Sequence, residues 1–129
     1  MNAPSDLRYT KTHEWIRKQA DRAVVGITDY AQHEISDIVF VELPKVGQTV
    51  GQGKPICVVE SVKAAFDIYA PVSGAVKSIN TALESDPSLA NREPYGSGWF
   101  FELTPSNPAE FELLLRKDQY EEFVKQAAH

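Results

Sequence analysis

Residues 55–69 constrain the fold more than any other stretch. Pro55-Ile56-Cys57-Val58-Val59 and Ala64-Ala65-Phe66-Asp67-Ile68-Tyr69 are two β-prone runs separated by a tight corner. Runs of this kind pair as a hairpin. Ala70-Pro71 ends the second run, because a proline biases its predecessor and cannot continue a ladder. The corner carries a single lysine, Lys63, which the hairpin holds out to solvent on a rigid stalk. By itself that is an ordinary surface cation, and short motifs mislead.

Composition narrows the function classes. The net charge of −5 lacks the basic footprint of a nucleic-acid binder. No apolar run approaches the length of a membrane span. Met1-Asn2-Ala3-Pro4-Ser5-Asp6 has neither the basic region nor the apolar region of a signal peptide. Cys57 is the only cysteine, so no internal disulfide forms, which suits a reducing compartment. Between Ile56 and Val58 it reads as a small buried hydrophobe rather than a nucleophile.

The remaining chain reads as short strands. Residues 9–27 form a hairpin turning at Gln19-Ala20-Asp21-Arg22, with 23–27 as a buried strand. His13-Glu14 begins like a zinc HExxH motif, but Arg17 occupies the second histidine position, which rejects a metal site. Thr28 or Asp29 caps a short helix, with Gln32 completing a capping box after Asp29. Residues 38–43 form a strand ended by Pro44. Gly47, Gly51 and Gly53 bracket a short Thr49-Val50 strand as turn glycines rather than a phosphate loop. Residues 75–80 form another strand. Residues 81–95 read as a long loop with at most one helical turn around Ser88-Leu89-Ala90, and 99–103 as the final strand. Asn107 and Pro108 open a helix with Phe111, Leu114 and Leu115 on one face. Asp118 caps a second helix with Tyr120, Phe123 and Val124 inward, fraying beyond Lys125.

Glu60-Ser61-Val62-Lys63-Ala64 resembles the lipoylation site of lipoyl-carrier proteins, and its particular form resembles that of the glycine cleavage system H-protein family. Separated segments extend the resemblance in order and spacing. They are Tyr9-Thr10-Lys11-Thr12-His13-Glu14-Trp15, Val25-Gly26-Ile27-Thr28-Asp29-Tyr30-Ala31-Gln32, Asp37-Ile38-Val39-Phe40-Val41-Glu42-Leu43-Pro44, Ala70-Pro71-Val72-Ser73-Gly74, Ile79-Asn80, Pro94-Tyr95-Gly96 and Gly98-Trp99. The match runs from about Leu7 to the last helix. One departure is that some members carry a histidine at the position of Glu34. Here His33 lies one residue earlier and reads as solvated.

The resemblance implies a mainly β fold: a lipoyl/biotinyl-type β sandwich, or barrel-sandwich hybrid, with a short helix after the first hairpin and C-terminal helices. It implies one lipoyl-carrier domain over 1–129, with the core at about 7–103 and a helical region at about 107–127. It also implies a non-catalytic shuttle with lipoic acid amidated to Lys63, recognised for modification through Glu60, Ser61, Val62 and Ala64. The implied partners are a pyridoxal-phosphate glycine decarboxylase (P-protein), a tetrahydrofolate-dependent aminomethyltransferase (T-protein), a dihydrolipoyl dehydrogenase using FAD and NAD (L-protein), and a lipoate-attaching enzyme. Those partners hold their own cofactors. The expected setting is a monomer in the bacterial cytoplasm, or the mitochondrial matrix for a processed eukaryotic form. Glu14 and Asp67 are candidates to line a cleft that protects the loaded arm; alternatively both are solvated strand carboxylates. A biotin carrier is the competing carrier reading, but its lysine usually lies between methionines, and here the flanks are Val62 and Ala64. A lipoate relay protein serving other lipoyl enzymes stays open. A hydrolase using Glu14, Glu60 and Asp67 ranks low, since no nucleophile motif or metal set accompanies them.

Overall fold

The computed structural model describes residues 6–127. Met1 to Ser5, part of the leader reading, and Ala128 and His129 of the frayed-tail reading lie outside the described residues.

Among the described residues, nine strands form two antiparallel sheets. The larger has the order β1 (Arg8–Tyr9), β2 (Glu14–Gln19), β3 (Arg22–Ile27), β9 (Phe101–Pro105), β8 (Gly74–Ile79), β5 (Thr49–Val50). The smaller places β6 (Pro55–Ser61) between β4 (Ile38–Glu42) and β7 (Ala65–Tyr69). Ile16, Val25 and Leu103 from the large sheet and Val41, Val59 and Ile68 from the small one belong to the same buried cluster. This sandwich arrangement lets both sheets bury one apolar face.

The outer face of the large sheet is covered as well. Tyr9, Trp15 and Val24 form a second cluster with Tyr120 of the C-terminal helix α4 (Lys117–Ala127). This explains why Glu14, Trp15 and Ile16 are all buried, where simple alternation would leave one face wet. Trp15 donates from Nε1 to the Pro94 carbonyl at 2.8 Å and lies against Gly26, its partner across the β2–β3 ladder.

Three connections position the functional region. Helix α1 (Asp29–Ile35) is capped by Thr28, whose Oγ1 accepts from Ala31 N; Gln32 instead donates its side-chain amide to Asp29. Residues 81–95 carry two short helical turns, α2 (Ala82–Ser85) and α3 (Leu89–Arg92), rather than one. Asn80 organises the end of this segment, donating to the Ser97 and Trp99 carbonyls, and the final strand starts at Phe101 rather than at 99.

The expected helix after Asn107 is a 3-10 helix, Pro108–Leu113, still capped by the Asn107 side chain. The Glu110 carboxylate accepts from Ser73 N and Oγ. Phe111 and Leu114 pack on the main core, whereas Leu115 packs on the second cluster and exchanges backbone hydrogen bonds with Tyr9. Among the described residues, no helix is long and apolar enough to cross a membrane.

Candidate functional site

The lysine hairpin closes on two residues, Val62 and Lys63. Ser61 N–H donates to the Ala64 carbonyl at 2.9 Å, while Ser61 Oγ accepts from Lys63 N and Ala64 N at 3.0 and 3.3 Å. The serine hydroxyl thus satisfies backbone donors that such a short turn cannot pair internally. Val62 N–H donates to the Asp37 carbonyl at 3.1 Å, which fastens the tip to the α1–β4 connection. Lys63 is exposed, and its Nζ donates to the Glu34 carbonyl at 3.0 Å.

The α1–β4 connection is itself held from a distance. Ser36 has φ 76° and ψ −158°, a conformation that strains a non-glycine residue. Asn91 of α3 clamps it: Oδ1 accepts from Ile38 N at 3.0 Å, and Nδ2 donates to the Ser36 carbonyl at 2.9 Å and to Gln32 Oε1 at 3.1 Å. No local motif or spacing around Asn91 signals this clamp.

Beside Glu34 a groove of about 250 Å³ opens between α1, β7 and the turn before β2. Ile27, Ala31, Ile35 and Phe66 give it apolar walls; Thr12, His13, Tyr30 and Asp67 add polar groups. Asp67 is exposed there. Glu14 is wholly buried and borders a neighbouring hollow with Tyr9 and Tyr69; Thr12 lines both spaces. The solvated alternative is therefore excluded for Glu14. Its Oε1 accepts from Thr10 and Thr12 hydroxyls at 2.5 Å each, and its Oε2 from Tyr69 N at 3.1 Å. Burial pushes its pKa above the ordinary glutamate value, and these donors oppose the shift.

Glu60 is exposed, lies across the ladder from Phe40 and Ala65, and makes no ion pair among the described residues. Val62 and Ala64 are exposed beside the lysine. His33 is exposed on α1, 3.6 Å from the Asp29 carboxylate. Cys57 is buried, and desolvation pushes its thiol up to about 12, which leaves it inert as a nucleophile.

Residues 7–127 match the model of the family described as Glycine cleavage H-protein. The chain belongs to the glycine cleavage H-protein family. It is 54% identical over 121 residues to the glycine cleavage system H protein of Psychrobacter cryohalolentis, covering 93% of this chain and 96% of the relative. Identity to the Thermus thermophilus H protein is 49% over 128 residues, 99% and 100% of the two chains. The crystal structure of the Mycobacterium marinum H protein superposes with a TM-score of 0.86 at 36% identity, covering 98% of this chain and all of that one. Membership makes this chain a lipoylated carrier component of the glycine cleavage system rather than an enzyme, with the P, T and L proteins of that system as its partners in general.

Proposed function

We propose that Lys63 is the point at which lipoate is attached, and that the hairpin carries the aminomethyl group from the decarboxylase to the aminomethyltransferase and electrons to dihydrolipoyl dehydrogenase. The observation that supports this is a solvent-exposed amine on a two-residue tip whose backbone donors are held by Ser61 and Asp37, beside a groove with apolar walls. Lipoate supplies a dithiolane that accepts the one-carbon group and electrons. The residues present fit it: Ile27, Ala31, Ile35 and Phe66 offer apolar contact to a hydrocarbon arm. Acylation leaves one proton on Nζ, so the bond to the Glu34 carbonyl can persist as an amide hydrogen bond.

Glu60, exposed and without an ion pair among the described residues, serves recognition by the lipoate-attaching enzyme together with Ser61, Val62 and Ala64. Asp67 at the groove and Glu14 behind Thr12 place negative charge where a cationic cargo rests. The chain works as a single carrier domain over 1–129, acting as a monomer in the cytoplasm.

The test is peptide mapping after modification by a lipoate-attaching enzyme, for wild type and Lys63→Arg. Arginine keeps the charge but is not an equivalent nucleophile. A lipoyl increment confined to the Lys63 peptide is expected. An increment on another lysine, or one retained by Lys63→Arg, overturns the assignment.

A further inference from the structure

Asn91 of α3 is joined to the lysine hairpin through one peptide unit. Its Oδ1 accepts from Ile38 N at 3.0 Å. That N–H belongs to the Asp37–Ile38 peptide, whose other end, the Asp37 carbonyl, accepts from Val62 N at 3.1 Å. A trans peptide is planar and points its N–H and C=O in opposite directions. A rigid plate thus lies between the Asn91 side chain and the backbone of Val62, the residue before Lys63. The two hydrogen bonds polarise one another through it.

The same side chain grips the other flank of Asp37. Asn91 Nδ2 donates to the Ser36 carbonyl at 2.9 Å and to Gln32 Oε1 at 3.1 Å. Ser36 N donates to the Gln32 carbonyl at 3.0 Å and closes the last turn of α1. From that turn the Glu34 carbonyl accepts from Lys63 Nζ at 3.0 Å. Backbone and amine of the hairpin therefore both rest on the segment that Asn91 fixes. The grip has a strain to resist. Ser36 stands at φ 76°, and its relaxation turns the Asp37–Ile38 peptide. A carboxamide suits this place because it carries donor and acceptor in one plane.

We propose that Asn91 is a positioning residue for the acylation of Lys63: acting through the Asp37–Ile38 peptide, it sets where the hairpin presents its amine to the lipoate-attaching enzyme. This rests on the reading of Lys63 as the lipoyl site. The step is acyl transfer from an activated lipoyl mixed anhydride. The bond from Nζ to the lipoyl carbonyl carbon forms, and the bond from that carbon to the activating group breaks. The activating group leaves with the electron pair, and the ammonium gives up two protons. A nucleophile held slightly out of place loses rate steeply. The surface around the tip, which the enzyme grips, is unchanged, so the loss falls on turnover rather than on docking.

The experiment follows lipoate attachment to full-length unmodified protein against carrier concentration, well below every melting temperature, for wild type, Asn91→Ala and Asn80→Ala. Mass first verifies that wild type is loaded on Lys63. Asn80 is the control for lost stability. Its side chain bonds the Ser97 and Trp99 carbonyls and Ala82 N, and no bond among the described residues takes it to the tip. The expected result is a kcat/KM about tenfold lower for Asn91→Ala, carried by kcat, with Asn80→Ala within about twofold of wild type. The Val62 amide resonance moves in Asn91→Ala and not in Asn80→Ala. If the alanine protein does not fold, Asn91→Asp replaces it; this keeps an acceptor for Ile38 N but lacks the donors, and a smaller loss in kcat is expected. A kcat equal to wild type in the folded Asn91 variant overturns the proposal. So does a loss confined to KM, which places the effect on docking, or an equal loss in Asn80→Ala, which makes it one of stability alone. Wild type without lipoate on Lys63 overturns the underlying reading too, and the mass shows this before any rates are compared.

Discussion

Replacing Asn91 by alanine tests whether the lysine tip is held from the far side of α1. The substitution leaves Ile38 N without its acceptor and removes the donor to the Ser36 carbonyl and Gln32 Oε1. A backbone donor left unpaired in a part-buried site costs about 1–3 kcal/mol, and each lost neutral bond about 0.5–1.5 kcal/mol. Partial access of water recovers some of this, so the net loss is roughly 2–4 kcal/mol. For a chain of this length that lowers the melting temperature by roughly 10 °C. The damage is local: Ser36, no longer clamped at φ 76°, relaxes, and with it the Asp37 carbonyl that receives Val62 N. Amide exchange at Val62 therefore accelerates more than exchange at Val59 in the strand interior. Asn91→Asp keeps the acceptor for Ile38 but turns a carboxylate onto carbonyl oxygens. Its folded-state pKa is raised, so the variant recovers toward wild type as pH falls and loses stability as pH rises through that value. A melting temperature for Asn91→Ala within about 2 °C of wild type, or no selective exchange at Val62, refutes the clamp.

Glu14→Gln should grow more stable relative to wild type as pH rises. The Glu14 pKa is raised on folding, so its contribution is full below the ordinary value of 4.5 and is lost through the raised one. Melting temperatures of both proteins from pH 4 to pH 8 check this, and a difference moving the other way contradicts it. Glu60→Gln should leave the melting temperature nearly unchanged, since the side chain is exposed and makes no ion pair among the described residues, yet slow lipoate attachment severalfold by mass; normal loading with lost stability reverses the assignment. Gly26→Ala should lower the denaturation midpoint by an amount equivalent to roughly 2–4 kcal/mol, because a Cβ there meets Trp15 Cζ2 at 2.6 Å and displaces the indole from Pro94. An unchanged midpoint means that the sheet shifts freely at this pair.

Local chemistry made much of the fold readable. The lysine hairpin, the Thr28 and Asn107 caps and the turn glycines Gly47 and Gly53, both at positive φ, depend on neighbours a few residues away. What stayed hidden depends on distant partners. Residues 81–99 show no periodicity because their order comes from Asn80, Asn91 and the Trp15–Pro94 bond rather than from an apolar face. The 3-10 turn replaces an α-helix where Glu110 is drawn to Ser73 and Leu115 to Tyr9. At the site, the exposed lysine tip was legible, whereas the depth of Glu14 was not, since a second cluster on the outer face buries a strand that alternation places at the surface. The hydrogen bonds of Tyr120 to His13 and Thr28 join residues more than ninety positions apart, and no spacing rule reaches that far.

The tip around Lys63 has one more consequence. Ser61 Oγ holds two backbone donors, the Asp37 carbonyl holds a third, and Val59 just behind is wholly buried. The volume swept by a group on Nζ is therefore set by the side chain and what is attached to it, with little added by loop motion. For an enzyme docked on this surface, the end of the tether is present at an effective concentration fixed by tether length and stiffness. That local concentration is a property of the fold, independent of how dilute the carrier is in solution. A slack tip would spread the same group through a larger volume and dilute it at each site it visits.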